Sequence, residues 1–445
     1  MRLPLDVYQC IEALEGASFP TYAVGGCVRD DLLGLAPHDF DLCTAALPDE
    51  IQAVFHDRQL VLAGVKHGTV GVVCPDGVVE ITTFRTEGEY TDCRHPGWVK
   101  FVPAIEEDLA RRDFTVNAMA WSPTRGLADP FGGRDDLKNR VLRAVGNPRK
   151  RFQEDALRIL RGARFAVKYR LSPDTETEAA MFTQVSLMDS LAQERVFDEL
   201  CKLLPLASAA DLIHFAPIIT QVIPELKQAV GFDQRSPHHA YDLYTHIAHV
   251  TAAAPASLPL RWAALLHDVG KPAAFTLDEN GRGHFYGHAK ESATLARGIL
   301  LRLKAPTALR EQAVRLIELH MTPIVPERKV VRRWLSRLGS DTLENLLQLQ
   351  EADMGSKGTG MPSAANQFTQ IRALAAEIQV ANACLSIKDL AVNGRDLMAL
   401  GFAPGKKLGN CLQNLFERVL DERLPNERAA LLACAEAYLS QEVKP

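Results

Sequence analysis

The sequence predicts an α+β head followed by a long, mostly α-helical body. In the first part of the chain, runs such as TYAV (21–24), TVGVVC (69–74) and VVEITTF (78–84) are rich in β-branched residues, as strands are. After about Pro148, nearly every segment is rich in Leu and Ala and repeats its apolar residues with a helical period. This separation of strand-rich and helix-rich regions indicates an α+β architecture.

Length and composition predict several domains and no membrane segment. The chain has 445 residues, 47% of them hydrophobic, which suits more than one buried core. No apolar run approaches the ~18 residues that span a bilayer, and the N-terminal MRLPLDVYQCIEALEG carries acids where a signal peptide is apolar. The default expectation is a cytoplasmic protein with no membrane partner. Nine scattered cysteines without a C-x-x-C pair argue against a disulfide framework and a zinc module.

A glycine turn followed by two spaced aspartates marks the head. Gly25 and Gly26 follow a predicted strand, where the missing Cβ lets backbone N–H groups approach phosphates. Asp39 and Asp41 are two positions apart, so on a strand both carboxylates would share one face and suit a pair of Mg²⁺ ions. Such ions activate a 3′-hydroxyl and neutralise a pyrophosphate leaving group. Arg29 could hold triphosphate oxygens.

This Gly-Gly, spacer and Asp-x-Asp order resembles the DNA polymerase beta nucleotidyltransferase superfamily. More closely, it resembles the class II tRNA nucleotidyltransferases and bacterial poly(A) polymerases. The resemblance implies that CTP and ATP are substrates and that C, C and A are added to the 3′ end of tRNA. The segment LAGVKHGTVGVV (62–73) is similar to the CCA-adding version. Glu80 is a candidate third metal ligand, and a structural glutamate is the alternative.

Two further head segments resemble this family. Arg112 and Asp113 match its R-R-D motif, and Asn117 matches the following N-A, which the resemblance assigns to ribose and triphosphate. The loop FRTEGEYTDCRHPGWVKF (84–101) corresponds to a flexible loop needed for the switch from C to A. Its presence implies that A can be added, and a merely structural loop is the alternative.

The segment FQEDALRILRGARF (152–165) is predicted to be one helix with Asp155 and Arg158 on one face. Cytosine and adenine both present an amino group beside an unprotonated ring nitrogen, so Asp155 can accept and Arg158 can donate. Uracil and guanine present a carbonyl and an N–H there. The segment resembles the family's E-D-x-x-R motif, and Arg161 and Arg164 extend a basic stripe for the triphosphate. An ordinary surface ion pair is the alternative.

A second set of candidate ligands lies in the helical body. His246, His267, Asp268 and Asp353 follow the order H…HD…D, which resembles the HD phosphohydrolase superfamily. Imidazole and carboxylate suit Ni²⁺, Mn²⁺, Co²⁺, Fe²⁺ or Zn²⁺. The resemblance implies phosphatase or 2′,3′-cyclic phosphodiesterase activity on RNA ends, and an inactive HD fold that supports tRNA is the alternative. Further candidates are His288 and His320 for a second metal and Lys271 for a phosphate.

The tail also resembles the CCA-adding family. Gly401, Pro404 and Gly405 should end one helix before the next, and Lys406 and Lys407 could meet phosphate there. The predicted regions are a nucleotidyltransferase head (1–137), a helical neck with the base-selecting helix (138–205), a helical body (206–380) containing the HD domain (about 238–356) and a tRNA-binding tail (381–445).

Three alternatives to the CCA-adding function stay open from the sequence. They are a tRNA nucleotidyltransferase that adds only A, a poly(A) polymerase, and an RNA-binding HD phosphohydrolase with an inactive head. No pattern in the sequence indicates an oligomeric state.

Overall fold

The computed structural model describes residues 1–37, 39–88, 98–236, 240–357, 364–381 and 383–441. The chain divides into two compact units, Met1–Lys227 together with Arg302–Lys304, and the rest. The first unit mixes strands and helices and the second is mainly helical, which confirms the predicted fold class. The finer division into head, neck, body and tail stays a prediction. Among helices in the described ranges, none has the length and apolar character needed to cross a membrane.

A sheet forms the centre of the first unit. The strands are β1 (Thr21–Val24), β2 (Leu42–Thr44), β3 (Leu60–Val61), β4 (Thr69–Cys74), β5 (Gly77–Thr83), β6 (Arg85–Glu87), β7 (Val99–Phe101), β8 (Ala120–Ser122), β9 (Gly126–Ala128), β10 (Val141–Leu142) and β11 (Ser172–Pro173). Within the described residues, seven of them pair in the order β3-β4-β5-β2-β1-β8-β9. In this sheet, β2 and β5 are parallel and the other neighbours antiparallel.

Helices cover the sheet and extend the first unit. Tyr22, Val24 and Ala120 of the sheet share an apolar cluster with Ile105 and Leu109, so helix α4 packs on this face. The helices are α1 (Leu5–Gly16), α2 (Gly26–Leu32), α3 (Pro48–Val54), α4 (Ile105–Ala110), α5 (Gly133–Lys138), α6 (Pro148–Glu154), α7 (Leu157–Tyr169), α8 (Thr175–Thr183), α9 (Gln193–Leu203), α10 (Ala209–His214) and α11 (Ala216–Val222), with short 3₁₀ turns at Val65–His67, Thr115–Asn117, Val185–Ser190 and Pro224–Ala229.

The second unit is built from helices whose ends are set by capping residues. Asp242 caps α12 by accepting hydrogen bonds from the N–H groups of Tyr244 and Thr245. Pro259 occupies the first turn of α13, where its missing N–H costs nothing. The elements are α12 (Leu243–Ala253), α13 (Leu258–Leu266), β12 (Thr276–Leu277), β13 (Gly283–His284), α14 (His288–Arg302), α15 (Thr307–Leu319), α16 (Arg328–Leu338), α17 (Ser340–Gly355), α18 (Ala364–Val380), a 3₁₀ turn (Ile387–Asp389), α19 (Gly394–Ala399), α20 (Lys406–Leu420) and α21 (Arg428–Gln441).

The predicted break in the tail is confirmed. Helix α19 ends at Ala399 and α20 begins at Lys406, with Gly401 and Gly405 between them at positive φ. The tail helices then share one apolar core that includes Leu397 and Leu415. The helix breakers thus predicted where one tail helix ends and the next begins, while the expected phosphate contact of Lys406 and Lys407 stays a prediction.

Candidate functional site

The glycine turn of the head has the predicted strand–turn–helix form. β1 ends at Val24, Gly25 adopts φ 73° and α2 begins at Gly26. A Cβ on Gly25 would lie 2.8 Å from Nη1 of Arg112, whose flexible side chain can shift, so the backbone conformation is what favours glycine there. The Gly25 N–H donates to the carbonyl of Met119 at 3.0 Å, and the turn brings the backbone of Gly25 and Gly26 next to a cationic side chain.

Arg29, one turn into α2, is buried and held from several sides. Its guanidinium contacts the side-chain oxygen of Asn117 and the hydroxyl of Tyr169. It also lies 4.2 Å from the centroid of the Tyr169 ring, and its Nε donates to Asp30 at 2.9 Å. Because these contacts fix the guanidinium, Arg29 is preorganised to receive an anion.

The predicted strand position of Asp39 and Asp41 is wrong, because both precede β2, which begins at Leu42. The parallel pair Leu42↔Ile81 nevertheless brings Glu80, one position earlier on β5, next to Asp41. Asp39, Asp41 and Glu80 line one cavity of about 590 Å³. Desolvation by surrounding atoms raises the pKa of Asp41, and the nearby charges of Glu80 and Asp39 add to the rise, while Arg112 opposes it. These carboxylates are therefore close enough to interact electrostatically.

Asp113 is fully engaged with the protein. One carboxylate oxygen accepts from Nε and Nη2 of Arg161 at 2.9 and 2.7 Å, and the other accepts from Nδ2 of Asn117 at 3.0 Å and from the N–H of Phe114 at 2.8 Å. Burial by itself raises the pKa of Asp113, but Arg161 and Asn117 outweigh it and lower the pKa well below its ordinary value. Asp113 thus positions Arg161 and Asn117.

The segment predicted to be one helix is broken at Asp155, so that prediction is wrong. Helix α6 ends at Glu154, Asp155 is extended at φ −144°, and α7 begins at Leu157. The physical reason is local, because the Asp155 carboxylate accepts from the N–H of Leu157 at 3.1 Å and competes with continuous helix. Its other oxygen pairs with Nη2 of Arg195 at 2.7 Å. Arg158 instead pairs with Glu154 at 2.6 Å.

Asp155 and Arg158 nevertheless both line one cavity of about 460 Å³. Among the described residues, eight cations and three carboxylates line it, an excess of five positive charges that suits a polyphosphate. Arg164 is partly neutralised, because its guanidinium contacts buried Glu199. The charged lining residues are Arg29, Arg111, Arg112, Arg158, Arg161, Arg164, Lys168, Arg195, Asp41, Asp113 and Asp155, with Gly25, Gly26 and Asn117 at the glycine turn.

Sequence reasoning missed several lining residues. Arg195 is 40 positions beyond Asp155, on the amphipathic helix α9, and Tyr169 ends α7 with no local motif. A polar residue on the inner face of an otherwise apolar helix is a signal that could have pointed to Arg195. The sequence gives no such signal for Tyr169, because an aromatic residue at helical spacing is typical of a core.

The second unit gathers its candidate ligands around Asp268. Nε2 of His246 and Nε2 of His267 lie 3.5 and 3.1 Å from one oxygen of Asp268. Nε2 of His288 and Nε2 of His320 lie 3.3 and 3.7 Å from its other oxygen. Two groups of potential metal ligands therefore share Asp268, and all five residues are buried.

Helix ends and backbone carbonyls orient these histidines. His267 and His320 cap the C-termini of α13 and α15, and His288 begins α14. An Nδ1–H donated to a carbonyl leaves Nε2 as the unprotonated atom that binds a metal. The Nδ1–carbonyl pairs are His246–Ser356 at 3.4 Å, His267–Ala264 at 2.8 Å, His288–Phe285 at 2.7 Å and His320–Ile317 at 2.6 Å.

Asp353 and Lys271 complete this histidine–aspartate cluster. One oxygen of Asp353 lies 3.0 Å from Nε2 of His246, and Nζ of Lys271 lies 2.7 Å from Asp268. Burial lowers the pKa of His246, but its hydrogen bonds to Asp268 and Asp353 outweigh this and raise the pKa to about 9. Burial raises the pKa of Asp268, but His267 and Lys271 outweigh it and lower the pKa. The structure thus brings together the predicted HD residues.

Three family models match successive parts of the chain. A model described as the poly A polymerase head domain matches residues 21–143, which contain Asp39 and Asp113. One described as the probable RNA and SrmB-binding site of polymerase A matches residues 170–229. One described as a putative tRNA nucleotidyltransferase domain 2 matches residues 285–435, which contain His288, His320 and Asp353.

Relatives resemble the chain over nearly its whole length. The CCA-adding enzyme of Levilactobacillus brevis is 34% identical over 428 residues, 95% of each chain. That of Streptococcus sanguinis is 34% identical over 429 residues, 96% of this chain and 95% of the relative. The solved structure of the Bacillus stearothermophilus CCA-adding enzyme in complex with CTP is 27% identical, with a TM-score of 0.72 and 99% of both chains covered. The Thermotoga maritima CCA-adding enzyme complexed with tRNA shares the fold, with a TM-score of 0.59 at 19% identity over 98% of this chain and 97% of that one.

Proposed function

The chain belongs to the CCA-adding enzyme family, and from this premise we propose that it adds C, C and A in turn to the 3′ end of tRNA, using CTP and ATP. One observation carries the proposal: Asp41 borders both the acidic cavity with Asp39 and Glu80 and the cationic cavity. A nucleotide in the cationic cavity and a 3′-hydroxyl in the acidic cavity would meet at Asp41.

The carboxylates fit divalent metals. Nucleotidyltransferases of this family use divalent metals, and Asp39, Asp41 and Glu80 offer the oxygen ligands that Mg²⁺ prefers. The raised pKa of Asp41 reflects neighbouring negative charge that a cation would neutralise. When bound, a pair of Mg²⁺ ions would lower the pKa of the 3′-hydroxyl and stabilise the pyrophosphate that leaves.

The side chains around the cationic cavity would hold and select the nucleotide. Arg29 and Arg112 lie at the glycine turn and would bind triphosphate oxygens, with Arg161 held ready by Asp113. Asp155 would accept from the amino group of cytosine or adenine, and Arg158 would donate to the adjacent ring nitrogen. Uracil and guanine would place a carbonyl against the carboxylate, so the pair would select C and A without a template.

The test is a tRNA transcript that ends at its discriminator base, incubated with CTP and ATP and then sequenced. A product extended by CCA is expected. No extension of this transcript, with one A added to a transcript already ending in CC, would mean an enzyme that adds only A. A long A tail would mean a poly(A) polymerase, and no extension of either transcript would favour an RNA-binding HD phosphohydrolase with an inactive head.

The histidine–aspartate cluster favours a second activity, hydrolysis of a phosphate at an RNA end. Four buried imidazoles directed at one carboxylate fit a divalent transition metal such as Ni²⁺, Mn²⁺, Co²⁺, Fe²⁺ or Zn²⁺. When bound, such a metal supplies a water of lowered pKa. In the hydrolysis of a 2′,3′-cyclic phosphate, the water oxygen bonds to phosphorus, one P–O bond to the ribose breaks, and the released ribose oxygen takes a proton. Lys271 would hold the phosphate beside Asp268.

This second activity is tested on the full chain after it has been loaded with each metal in turn. An RNA ending in a 2′,3′-cyclic phosphate should be opened, and one ending in a phosphate monoester should release inorganic phosphate. Stoichiometric metal binding without release of phosphate from any RNA end would leave the cluster as a structural metal site.

A further inference from the structure

An exposed tyrosine stands at the rim of the histidine–aspartate cluster. Tyr286 is 79% exposed, yet it lines the same cavity of about 250 Å³ as Asp268, His288 and Asp353. An aromatic ring that is left in water beside charged groups is more typical of a binding surface than of a core. Neither of the activities proposed above uses this ring.

The Tyr286 ring is held in place from one side. It stacks on His284 with an angle of 4° between the ring planes and 5.4 Å between the centroids. Nε2 of His284 lies 3.0 Å from Asp278, and the Tyr286 hydroxyl lies 3.4 Å from Nδ1 of His284. One face of the Tyr286 ring lies against His284, so the exposed surface of the ring is its other face and its edges. The ring is thus a fixed platform rather than a free side chain.

The platform is close to the predicted metal ligands along the chain. Tyr286 is two residues from His288, so their Cα atoms are at most about 7 Å apart. Gly287 between them adopts φ 76°, a conformation that suits glycine and turns the chain between the two. Nε2 of His288 lies 3.3 Å from Asp268. A base on the ring would therefore lie next to a phosphate at the cluster.

Of the described residues, three cations and two carboxylates line this space, and Asp353 pairs with Lys357 at 3.5 Å. Lys271, Arg282 and Lys357 line the cavity together with Tyr286. Lys271 is held by Asp268 at 2.7 Å and by Gln234 at 2.9 Å, so its ammonium has a fixed position. Arg282 is exposed, and no ion pair of its side chain is found in the described part of the chain. An aromatic face beside fixed cations suits a nucleotide better than a phosphate ester without a ring.

We propose that His284 and Tyr286 form a stacking platform for the base of a terminal nucleotide whose phosphate is bound at the histidine–aspartate cluster. The inference rests on the proposed phosphohydrolase function and names its substrate class, a 3′-terminal nucleotide of single-stranded RNA or the equivalent free nucleotide. Stacking is tolerant of sequence, because every base has a π-face. The site should therefore accept all four bases at an RNA end.

Binding is measured first, by isothermal titration of adenosine 3′-phosphate into the full chain treated with a chelator. Tyr286→Ala should weaken binding about 10-fold, within the range that loss of one stacked base produces. Tyr286→Phe keeps the ring and should bind like wild type. Tyr241→Ala is the matched control, because Tyr241 also stacks on a histidine, His249, at 4.7 Å but does not line the cavity.

Kinetics with the metal-loaded protein provide the second measurement. Tyr286→Ala should raise KM for adenosine 2′,3′-cyclic phosphate by a similar factor and leave kcat unchanged, with no effect on glycerol 2-phosphate, which has no base. A hexaribonucleotide with a 3′-phosphate that binds more tightly than adenosine 3′-phosphate would assign the platform to RNA ends, and equal binding would assign it to free nucleotides.

The outcomes distinguish a failure of the proposed stacking platform from a failure of the proposed phosphohydrolase function. No binding of adenosine 3′-phosphate by wild type, equal affinities of wild type and Tyr286→Ala, or an equal effect on glycerol 2-phosphate would overturn the platform. Absence of hydrolysis by metal-loaded wild type would instead overturn the proposed phosphohydrolase, and the titration would still decide whether the ring binds a base.

Discussion

Replacing Asp155 by alanine should relax the choice of nucleotide rather than only slow the reaction. A hydrogen bond to a charged group contributes about 1.5–3 kcal/mol. In the structure Asp155 is paired with Arg195 at 2.7 Å, with side chains 18% and 26% exposed, so a base must share or displace a contact worth up to about 1 kcal/mol. About 0.5–2 kcal/mol remains, equivalent to a 2- to 30-fold loss of kcat/KM for CTP and ATP.

The carbonyl of uracil or guanine gains nothing from this carboxylate. Asp155→Ala should therefore leave kcat/KM for UTP and GTP unchanged or raise it. The ratio of kcat/KM for CTP to that for UTP, and for ATP to that for GTP, should fall by at least the same 2- to 30-fold. Single-nucleotide incorporation into a transcript ending at the discriminator base measures the first ratio, and a transcript ending in CC measures the second.

Two control variants separate base selection from folding. Arg195→Ala removes the partner but keeps Asp155, which still accepts from Leu157 at 3.1 Å, so selection should be retained. Asp155→Asn keeps the shape and adds a donor, so it should admit UTP more readily than wild type. An Asp155→Ala enzyme that rejects UTP and GTP as strongly as wild type would refute base reading by this residue.

Three further outcomes are expected. Asp39→Ala should abolish addition of both C and A by at least about 100-fold in kcat, and an active variant would refute the carboxylate site. His267→Ala combined with Asp268→Ala should abolish hydrolysis of RNA ends and leave CCA addition intact, and loss of both activities would contradict separate sites. Asp113→Asn should lower the free energy of unfolding by about 2–3 kcal/mol at pH 7, because Asp113 pairs with Arg161, which is 33% exposed. Since folding lowers the pKa of this carboxyl, the difference should persist above its unfolded pKa of about 3.9 and shrink as pH falls below it, as measured by urea titration; a difference that stays constant to pH 3 would contradict the linkage.

Sequence motifs predicted the parts of the site that depend on a few neighbouring residues. The turn at Gly25 follows from glycine alone, because its φ of 73° is a conformation that residues with a Cβ rarely adopt. The order H…HD…D likewise identified His267 and Asp268, which the structure brings together with the other predicted ligands. In the first case the signal lies within a few positions, and in the second it is the adjacent His267 and Asp268 within an order that extends from His246 to Asp353.

Long-range pairing could not be predicted in the same way. Asp155 was expected to lie on one helix with Arg158, but its bond to the Leu157 N–H breaks that helix and its ion-pair partner is Arg195. Helical periodicity describes which face is apolar and does not report a local side-chain acceptor. The loop at 84–101 falls partly outside the described residues, so its predicted role in adding A stays a prediction.

The basic residues Arg328, Lys329, Arg332 and Arg333 lie close together in the sequence, but acids distant in the sequence pair with them. Arg332 lies 2.8 Å from Glu422, and Arg333 lies 2.8 Å from Asp421, so acids about 90 positions away neutralise this cluster. The cations of the first unit, in contrast, line a cavity of about 460 Å³, although Asp30, Asp108, Glu154 and Glu199 pair with several of them. A cavity formed on folding, rather than the density of Arg and Lys along the chain, therefore marks a candidate phosphate site.

The energetics of the histidine–aspartate cluster argue against a purely structural role. In the described part of the chain, none of the Nε2 atoms of His267, His288 and His320 has a hydrogen bond of good geometry, although all are buried. Burial of polar atoms without such bonds costs about 1–3 kcal/mol each, and apolar side chains of similar volume are commonly as stable or more stable. If the cluster served only as a scaffold for tRNA, the burial of these polar atoms would bring no compensating benefit. Divalent metal held by the two ligand groups that share Asp268 would offset this cost, and the exposed Tyr286 beside the cluster is consistent with a site that binds a ligand.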